Sequence, residues 1–392
     1  MILGTHIQER PKTAMIFGVT GQDGSYLSEL LLEKDYDVVG VKRRSSVNTE
    51  ERLHQVIDNP SFQLVEGDIT DPSSVMTLIN QWKPDECYNL AAMSHVGTSF
   101  EQPSTTFQID AVGPLNILEA IRLNSPKTKM CQCSTSELFG SNYTEQNLTL
   151  GDIFKLGELK RIEDVEIPEP KRYQDENTPF APNSPYAVAK MAAHDLVRVY
   201  RDSYDIFCCA SIGFNHESCR RTETFVTRKI TKWIGKFSNW CCLRDLRIHH
   251  SNISDCGTKI YNSEGESFPK LCLGNMSAQR DWGHAKDTVR GQYLMMQQEK
   301  PDDYVLATGE AHSVEDFVRE AFNIIGIDNW SDYVYIDPKL YRPCDVEYLL
   351  GKADKAKRVL GWEPDIKFKQ LVQEMVEYDI NVSKRKKDQT LV

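Results

Sequence analysis

The first 215 residues alternate short apolar runs with amphipathic stretches. Apolar runs at 14–18, 37–42, 62–67, 86–90, 128–134 and 206–213 predict strands. The stretches 25–34, 71–82, 105–124 and 184–204 carry helical spacing. At 71–82, Asp71 is placed to cap the helix and Pro72 to open it. Strands alternating with helices imply an α/β protein with a doubly wound parallel sheet covered on both faces. Ligands of such sheets bind beyond the carboxyl ends of the strands, so the chemistry is sought there. The pattern divides the chain into a larger unit at 13–215, a smaller C-terminal lobe at 216–380 and a tail at 381–392. Segments of the lobe are expected to pack back on the first unit. Two stretches break the rhythm: 142–177 is long, charged and poor in apolar pattern, and 236–268 clusters cysteines, Gly, Ser and two adjacent histidines. Both read as insertions, the second as dispensable to the core. The basic run 384–387 reads as a frayed, solvated end.

Length and composition narrow the class. The chain has 392 residues, enough for a core without staples, and a formal charge of −11. With 40% apolar residues it is globular, and its acidic balance argues against a broad nucleic-acid surface. The eleven cysteines form no Cys-x-x-Cys pair, so reduced thiols in a cytoplasmic protein without a metal centre are expected. The polar segment from Met1 to Lys12 does not read as a signal peptide. No apolar run approaches the roughly 20 residues of a membrane span.

The chemistry follows the strands. Gly18-Val19-Thr20-Gly21-Gln22-Asp23-Gly24 comes directly after the first. Glycines three residues apart allow a tight turn and close approach of a pyrophosphate, which the next helix meets with free N–H groups. The second strand ends in Arg43, Arg44, Ser45 and Ser46, with no carboxylate to accept a ribose hydroxyl. Guanidinium and hydroxyl groups match a 2′-phosphate, which favours NADP. Asp68 closes the third strand, where an adenine contact and a turn role are both open. Ser184-Pro185-Tyr186 starts a helix, and Lys190 lies one turn beyond the tyrosine on the same face. An ammonium and a helix N-terminus favour the phenolate, so Tyr186 is expected to ionise more readily than a free tyrosine. Ser134-Thr135-Ser136-Glu137 ends the fifth strand, and continued extended geometry would put Thr135 and Glu137 on one face. Further cations at Arg220, Arg221, Arg228, Lys229, Arg280 and Arg342, with Asn215, His216 and His284, are candidates for a second pyrophosphate site.

Together these motifs resemble the extended short-chain dehydrogenase/reductase superfamily, and within it the GDP-mannose 4,6-dehydratases. The segments GVTGQDGSYL, NLAAMSHV, STSELFG, SPYAVAK, FVTRKI and RDWGHAKD carry the resemblance across about 14–380, apart from the two insertions. It implies a Rossmann-type fold, NADP, GDP-mannose as substrate and a homodimer or homotetramer in the cytoplasm. By position it implies Thr135, Glu137, Tyr186 and Lys190 as catalytic. Cofactor contacts would fall on Gly18, Val19, Thr20, Gly21, Gln22, Asp23, Arg43, Arg44, Ser45, Ser46, Asp68, Ile69, Leu90, Ala91, Ala92, Met93, Ser94, Lys190, His216 and Arg221. Substrate contacts are assigned to Ser94, Asn215, Lys229, Arg280 and Arg342. The chain departs from the family pattern at Thr105, where a tyrosine is frequent, at Cys219 in place of proline, and at Lys352 in place of aspartate. A nucleotide-sugar 4-epimerase or 4-reductase shares the Tyr–Lys pair but has no need of Glu137 as a base. The alternative from another class is an NADP-binding scaffold without catalysis, against which every catalytic position is filled.

Overall fold

The structure, a computed structural model, describes residues 10–146, 171–242, 258–261, 265–341 and 344–388. Seven strands form one parallel sheet: β1 (Thr13–Phe17), β2 (Asp37–Lys42), β3 (Phe62–Glu66), β4 (Glu86–Asn89), β5 (Lys129–Thr135), β6 (Cys208–Gly213) and β7 (Tyr304–Leu306). Their order is 3-2-1-4-5-6-7, so the winding reverses between β1 and β4 and opens a crevice at their carboxyl ends. This is the doubly wound sheet that the alternation predicts. The pleat of β1 sorts its residues by face. Ala14 and Ile16 pack with Leu27 and Leu31 of the helix Gln22–Glu33, while Met15 and Phe17 pack with Ile117 and Ile121 of the helix Gly113–Asn124. Each buried Leu, Ile, Met or Phe side chain among them contributes about 1.5–3 kcal/mol.

Local signals place the helices. Asp71 accepts a hydrogen bond from the Ser73 nitrogen at 2.9 Å and opens the helix Pro72–Trp82. Ser184 does the same for Ala187 at 3.1 Å and opens Pro185–Tyr204. The single helix expected over 105–124 is instead interrupted. Helices Pro103–Phe107 and Gly113–Asn124 are joined by a wider π turn, Gln108–Val112. Pro114 has no N–H to offer the carbonyl of Asp110 four residues earlier, so the α ladder is broken there.

The C-terminal lobe surrounds a second core. Strands Asn215–Glu217, Gln279–His284 and Ala311–Ser313 pair into a small sheet. Helices Val226–Cys242, Val314–Ile324 and Phe368–Asp388 supply Ile234, Phe237, Phe317 and Leu371 to the core. One expectation changes here. Residues 236–242 complete the first of these helices, and Phe237 and Ile260 are buried, so the stretch expected to be dispensable contributes to the core. The basic run 384–387 falls within the helix Phe368–Asp388, with Lys384 and Arg385 solvated as expected. That helix docks through Leu371, Val372, Met375 and Val376, and basic residues suit its C-terminal dipole. In the first insertion, strands Thr144–Gln146 and Lys171–Tyr173 form an antiparallel hairpin base, and 147–170 lie outside the described residues, as do 243–257 and 262–264 in the second.

Candidate active site

The turn after β1 is glycine because nothing larger fits. Gly18 has φ +82°, and a Cβ there would lie 2.6 Å from the Ala91 nitrogen. A Cβ on Gly24 would lie 2.5 Å from the Gly18 carbonyl oxygen. Gly21 caps the helix Gln22–Glu33 without a side chain, leaving its first-turn N–H groups for an external acceptor. Gly21, Gln22, Asp23 and Gly24 line a cleft of about 780 Å³ between the sheet and the lobe. A glycine cradle at a helix N-terminus fits the pyrophosphate of a dinucleotide.

The same cleft gathers most of the residues singled out from the sequence. Thr135, Glu137, Tyr186 and Lys190 line it, as do Gly18, Leu90, Ala92, Ser94, Asn215, His216, Arg221, Lys229 and Arg280. Others stand apart. Val19 is buried behind the turn, and the Thr20 carbonyl accepts from Arg52. Ile69 is buried against Gly113. Asp68 accepts from both the nitrogen and the hydroxyl of Thr70, at 2.9 and 2.7 Å, in a turn. Ala91 and Met93 supply backbone nitrogens to Asn89 and Asp110. Arg43, Arg44, Ser45 and Ser46 follow β2 on the surface, beyond the cleft wall. Arg342 lies outside the described residues.

Thr135 and Glu137 reach the cleft by a different route than expected. β5 stops at Thr135, and Ser136–Phe139 is a 3-10 turn that the Thr135 hydroxyl caps by accepting from the Glu137 nitrogen at 3.3 Å. Strand periodicity therefore does not relate them. Tyr186 is buried in the first turn of its helix. Lys190 lies 5.9 Å from its ring centre and donates to the Cys133 carbonyl at 3.0 Å.

The electrostatics correct the expectation for the phenol. In the free chain Tyr186 is pushed well above the usual tyrosine range, first by burial and then by the carboxylate of Asp110, with Cys133 and Glu137 adding to it. The Thr135 hydroxyl opposes this by hydrogen bonding to the phenol. The lysine does not reverse it because its ammonium is turned toward other oxygens. One of them, Asp110, escaped the sequence analysis. It is fully buried, lies 3.9 Å from the Lys190 nitrogen and accepts from the Met93 nitrogen at 3.1 Å. Burial holds its carboxyl above the usual range, against the pull of Lys190 and the Met93 N–H. Its signal was an acidic residue four positions before a proline within an apolar helical pattern.

Asp23 and His216 bind each other across the two lobes. The His216 Nε2 meets the Asp23 carboxylate at 2.7 Å, and Nδ1 meets the Phe214 carbonyl at 2.7 Å. Two acceptors require both ring nitrogens to donate, so the ring is an imidazolium. Burial disfavours both charges, but their attraction holds Asp23 below the usual carboxylate range and His216 above the usual imidazole range. Gln22 completes the joint, donating to the His216 carbonyl at 3.1 Å and accepting from Ser218 at 2.8 Å. Arg280 is paired with Asp345 at 3.1 Å, and both line the cleft; Asp345 is a second residue not singled out in advance.

Residues 14–307 match the model of the NAD dependent epimerase/dehydratase family. GDP-mannose 4,6 dehydratase 2 of Arabidopsis thaliana is 43% identical over 97% of this chain and 90% of its own length. GDP-mannose 4,6-dehydratase of Yersinia enterocolitica is 42% identical over 95% of each chain. The chain belongs to the GDP-mannose 4,6-dehydratase family. At the level of fold it is similar to UDP-glucose 4-epimerase of Thermotoga maritima, with a TM-score of 0.71 and 19% identity over 94% of this chain and 99% of that one. It is likewise similar to dTDP-glucose 4,6-dehydratase of Bacillus anthracis, solved with NAD, with a TM-score of 0.69 and 18% identity over 94% and 96%. A nicotinamide dinucleotide is thus the cofactor class that the cleft serves.

Asp110→Asn keeps an acceptor for Met93 and removes a negative charge facing Lys190, Tyr186 and Cys133. The phenolate is then easier to form. Turnover is expected to fall about tenfold as the lysine loses its anchor. The rising limb of the pH–rate profile should move to lower pH. A limb that stays or moves upward would show that Asp110 does not act on the phenol.

Proposed function

We propose that the chain converts GDP-mannose to GDP-4-dehydro-6-deoxymannose and water, using NADP. The observation that carries this reading is the meeting of Thr135, Glu137, Tyr186 and Lys190 in the cleft that also holds the glycine turn. Loss of the C6 hydroxyl requires an acidic C5 proton, and that proton is acidic only beside a ketone at C4. When bound, an oxidised nicotinamide would accept the hydride from C4 and give it back to C6 once water has left, so that it ends each cycle unchanged, and it would bring a positive charge to the cleft. Tyr186 takes the proton of the C4 hydroxyl, and Lys190 holds the nicotinamide ribose and steadies the phenolate. Thr135 hydrogen-bonds the C4 oxygen as charge develops on it. Glu137 removes the C5 proton and passes it to the departing C6 hydroxyl as water leaves, and the proton held by Tyr186 goes to C5 when the hydride returns to C6.

In this reading Asn215, Lys229, Arg280, Arg342 and Ser94 contact the substrate, the cations among them at its pyrophosphate. Arg43, Arg44, Ser45 and Ser46 hold the 2′-phosphate of NADP. What supports them is a β2 end without a carboxylate of its own, where Lys42 pairs with Glu50 at 2.5 Å. The enzyme works in the cytoplasm as a homodimer or homotetramer, a placement that suits the nine free cysteines among the described residues.

Incubation with GDP-mannose should give a product lighter by one water, detected by mass spectrometry. An unchanged mass with altered stereochemistry would indicate a 4-epimerase instead. Glu137→Gln should lower turnover at least about a hundredfold, since a positioned base contributes on that order. Unaltered turnover would remove Glu137 from its role. Arg43→Ala should weaken NADP about tenfold more than NAD, the scale of one charge-assisted phosphate contact. Equal weakening of both cofactors would contradict recognition of the 2′-phosphate.

A further inference from the structure

The first insertion returns to the core at Gln174, and that residue carries more bonds than a connector needs. Gln174 is 1% exposed. Its backbone donates to the Leu350 carbonyl at 2.8 Å and accepts from the Lys352 nitrogen at 2.9 Å. Its side-chain oxygen accepts from the Leu350 nitrogen at 2.8 Å, and its amide donates to the Asn142 carbonyl at 3.1 Å. Asn142 is itself bonded, through its nitrogen, to the Phe139 carbonyl at the end of the turn that carries Glu137. On the other side, the Leu349 nitrogen donates to the Gln279 carbonyl and the Gln279 nitrogen to the Glu347 carbonyl. That pairing sets Arg280 beside Asp345 on the cleft wall. A continuous run of backbone and buried amide bonds thus joins the acid–base turn to the Arg280–Asp345 wall, with Gln174 in the middle.

The hairpin base adds contacts of its own to the same segment. The Lys352 ammonium donates to Gln146 at 3.3 Å and lies 4.4 Å from the Tyr173 ring centre. The Tyr348 hydroxyl donates to the Arg172 carbonyl at 3.1 Å. Lys352 is one of the departures from the family pattern, and here its long side chain reaches the hairpin. Among the described residues, no hydrogen bond joins Gln174 or this hairpin to the glycine turn at 18–24.

We propose that this hairpin, through Gln174 and Lys352, is a strap that fixes the substrate wall at Arg280 and Asp345 relative to the Glu137 turn. Gln174 is then a positioning residue for the nucleotide end of the substrate, and the insertion serves substrate binding and not cofactor binding. The inference rests on the reading of the cleft as a GDP-sugar site, and its test separates the two.

The test measures kcat and KM with GDP-mannose, and dissociation constants for GDP and for NADP, on the full chain and its Gln174→Ala and Lys352→Met variants. Gln174→Ala should raise KM and the GDP dissociation constant about tenfold, the scale of a small displacement of binding groups. It should leave the NADP constant within about twofold. Lys352→Met should shift the GDP constant the same way by about twofold to threefold, since its contacts are partly exposed. GDP binding unchanged in a folded Gln174→Ala chain, or GDP and NADP weakened in parallel, overturns the strap. If Gln174→Ala does not fold, unchanged GDP binding in Lys352→Met overturns it instead. Failure of the parent chain to dehydrate GDP-mannose strikes the functional reading alone, because the GDP and NADP constants still judge the strap.

Discussion

An ammonium buried beneath the active site needs oxygen partners, and the placement of Lys190 between the Cys133 carbonyl and the Asp110 carboxylate is the constraint on which the site depends. Three elements must converge to provide it. β5 brings the carbonyl, the helix Pro185–Tyr204 brings the lysine, and the π turn Gln108–Val112 brings the acid. The broken helix is thereby explained, since a regular helix through Pro114 would leave the Asp110 carbonyl without its bond. The same acid holds the Met93 nitrogen, so the loop after β4 is tied to Lys190.

The charge balance of the site follows from that arrangement. With its lysine committed to Asp110 and Cys133, Tyr186 keeps its proton in the free chain. In the proposed reaction, a bound oxidised nicotinamide would bring a positive charge that opposes the effect of the Asp110 and Glu137 carboxylates. The lobes are joined by a comparable device. Asp23 and Gln22 of the glycine turn grip His216 and Ser218 of the lobe, so the two sides of the cleft share hydrogen bonds.

Much of this was legible in the sequence because the signals are local. A short continuous apolar run gave β2 its observed bounds, the caps at Asp71 and Ser184 set two helix starts, and the glycine spacing reflects a turn where a Cβ would clash. What was hidden depends on tertiary contacts. Asp110 reads as an ordinary polar position until the fold turns it onto Lys190. The direction of the Tyr186 shift was misread because burial and two carboxylates outweigh a lysine aimed elsewhere. Residues 236–242 looked irregular in composition, yet Phe237 anchors them in the core through contacts with distant segments such as Phe268 and Tyr333.

The account turns on when the Tyr186 phenol gives up its proton. Difference ultraviolet titration of the parent chain against Tyr186→Phe isolates that one ionisation, first without and then with oxidised NADP. The prediction is an ionisation above the ordinary tyrosine value, roughly pH 10, in the free protein and a clear fall when the oxidised cofactor binds. A free protein whose Tyr186 already ionises below the ordinary value, or one in which the cofactor changes nothing, would contradict it.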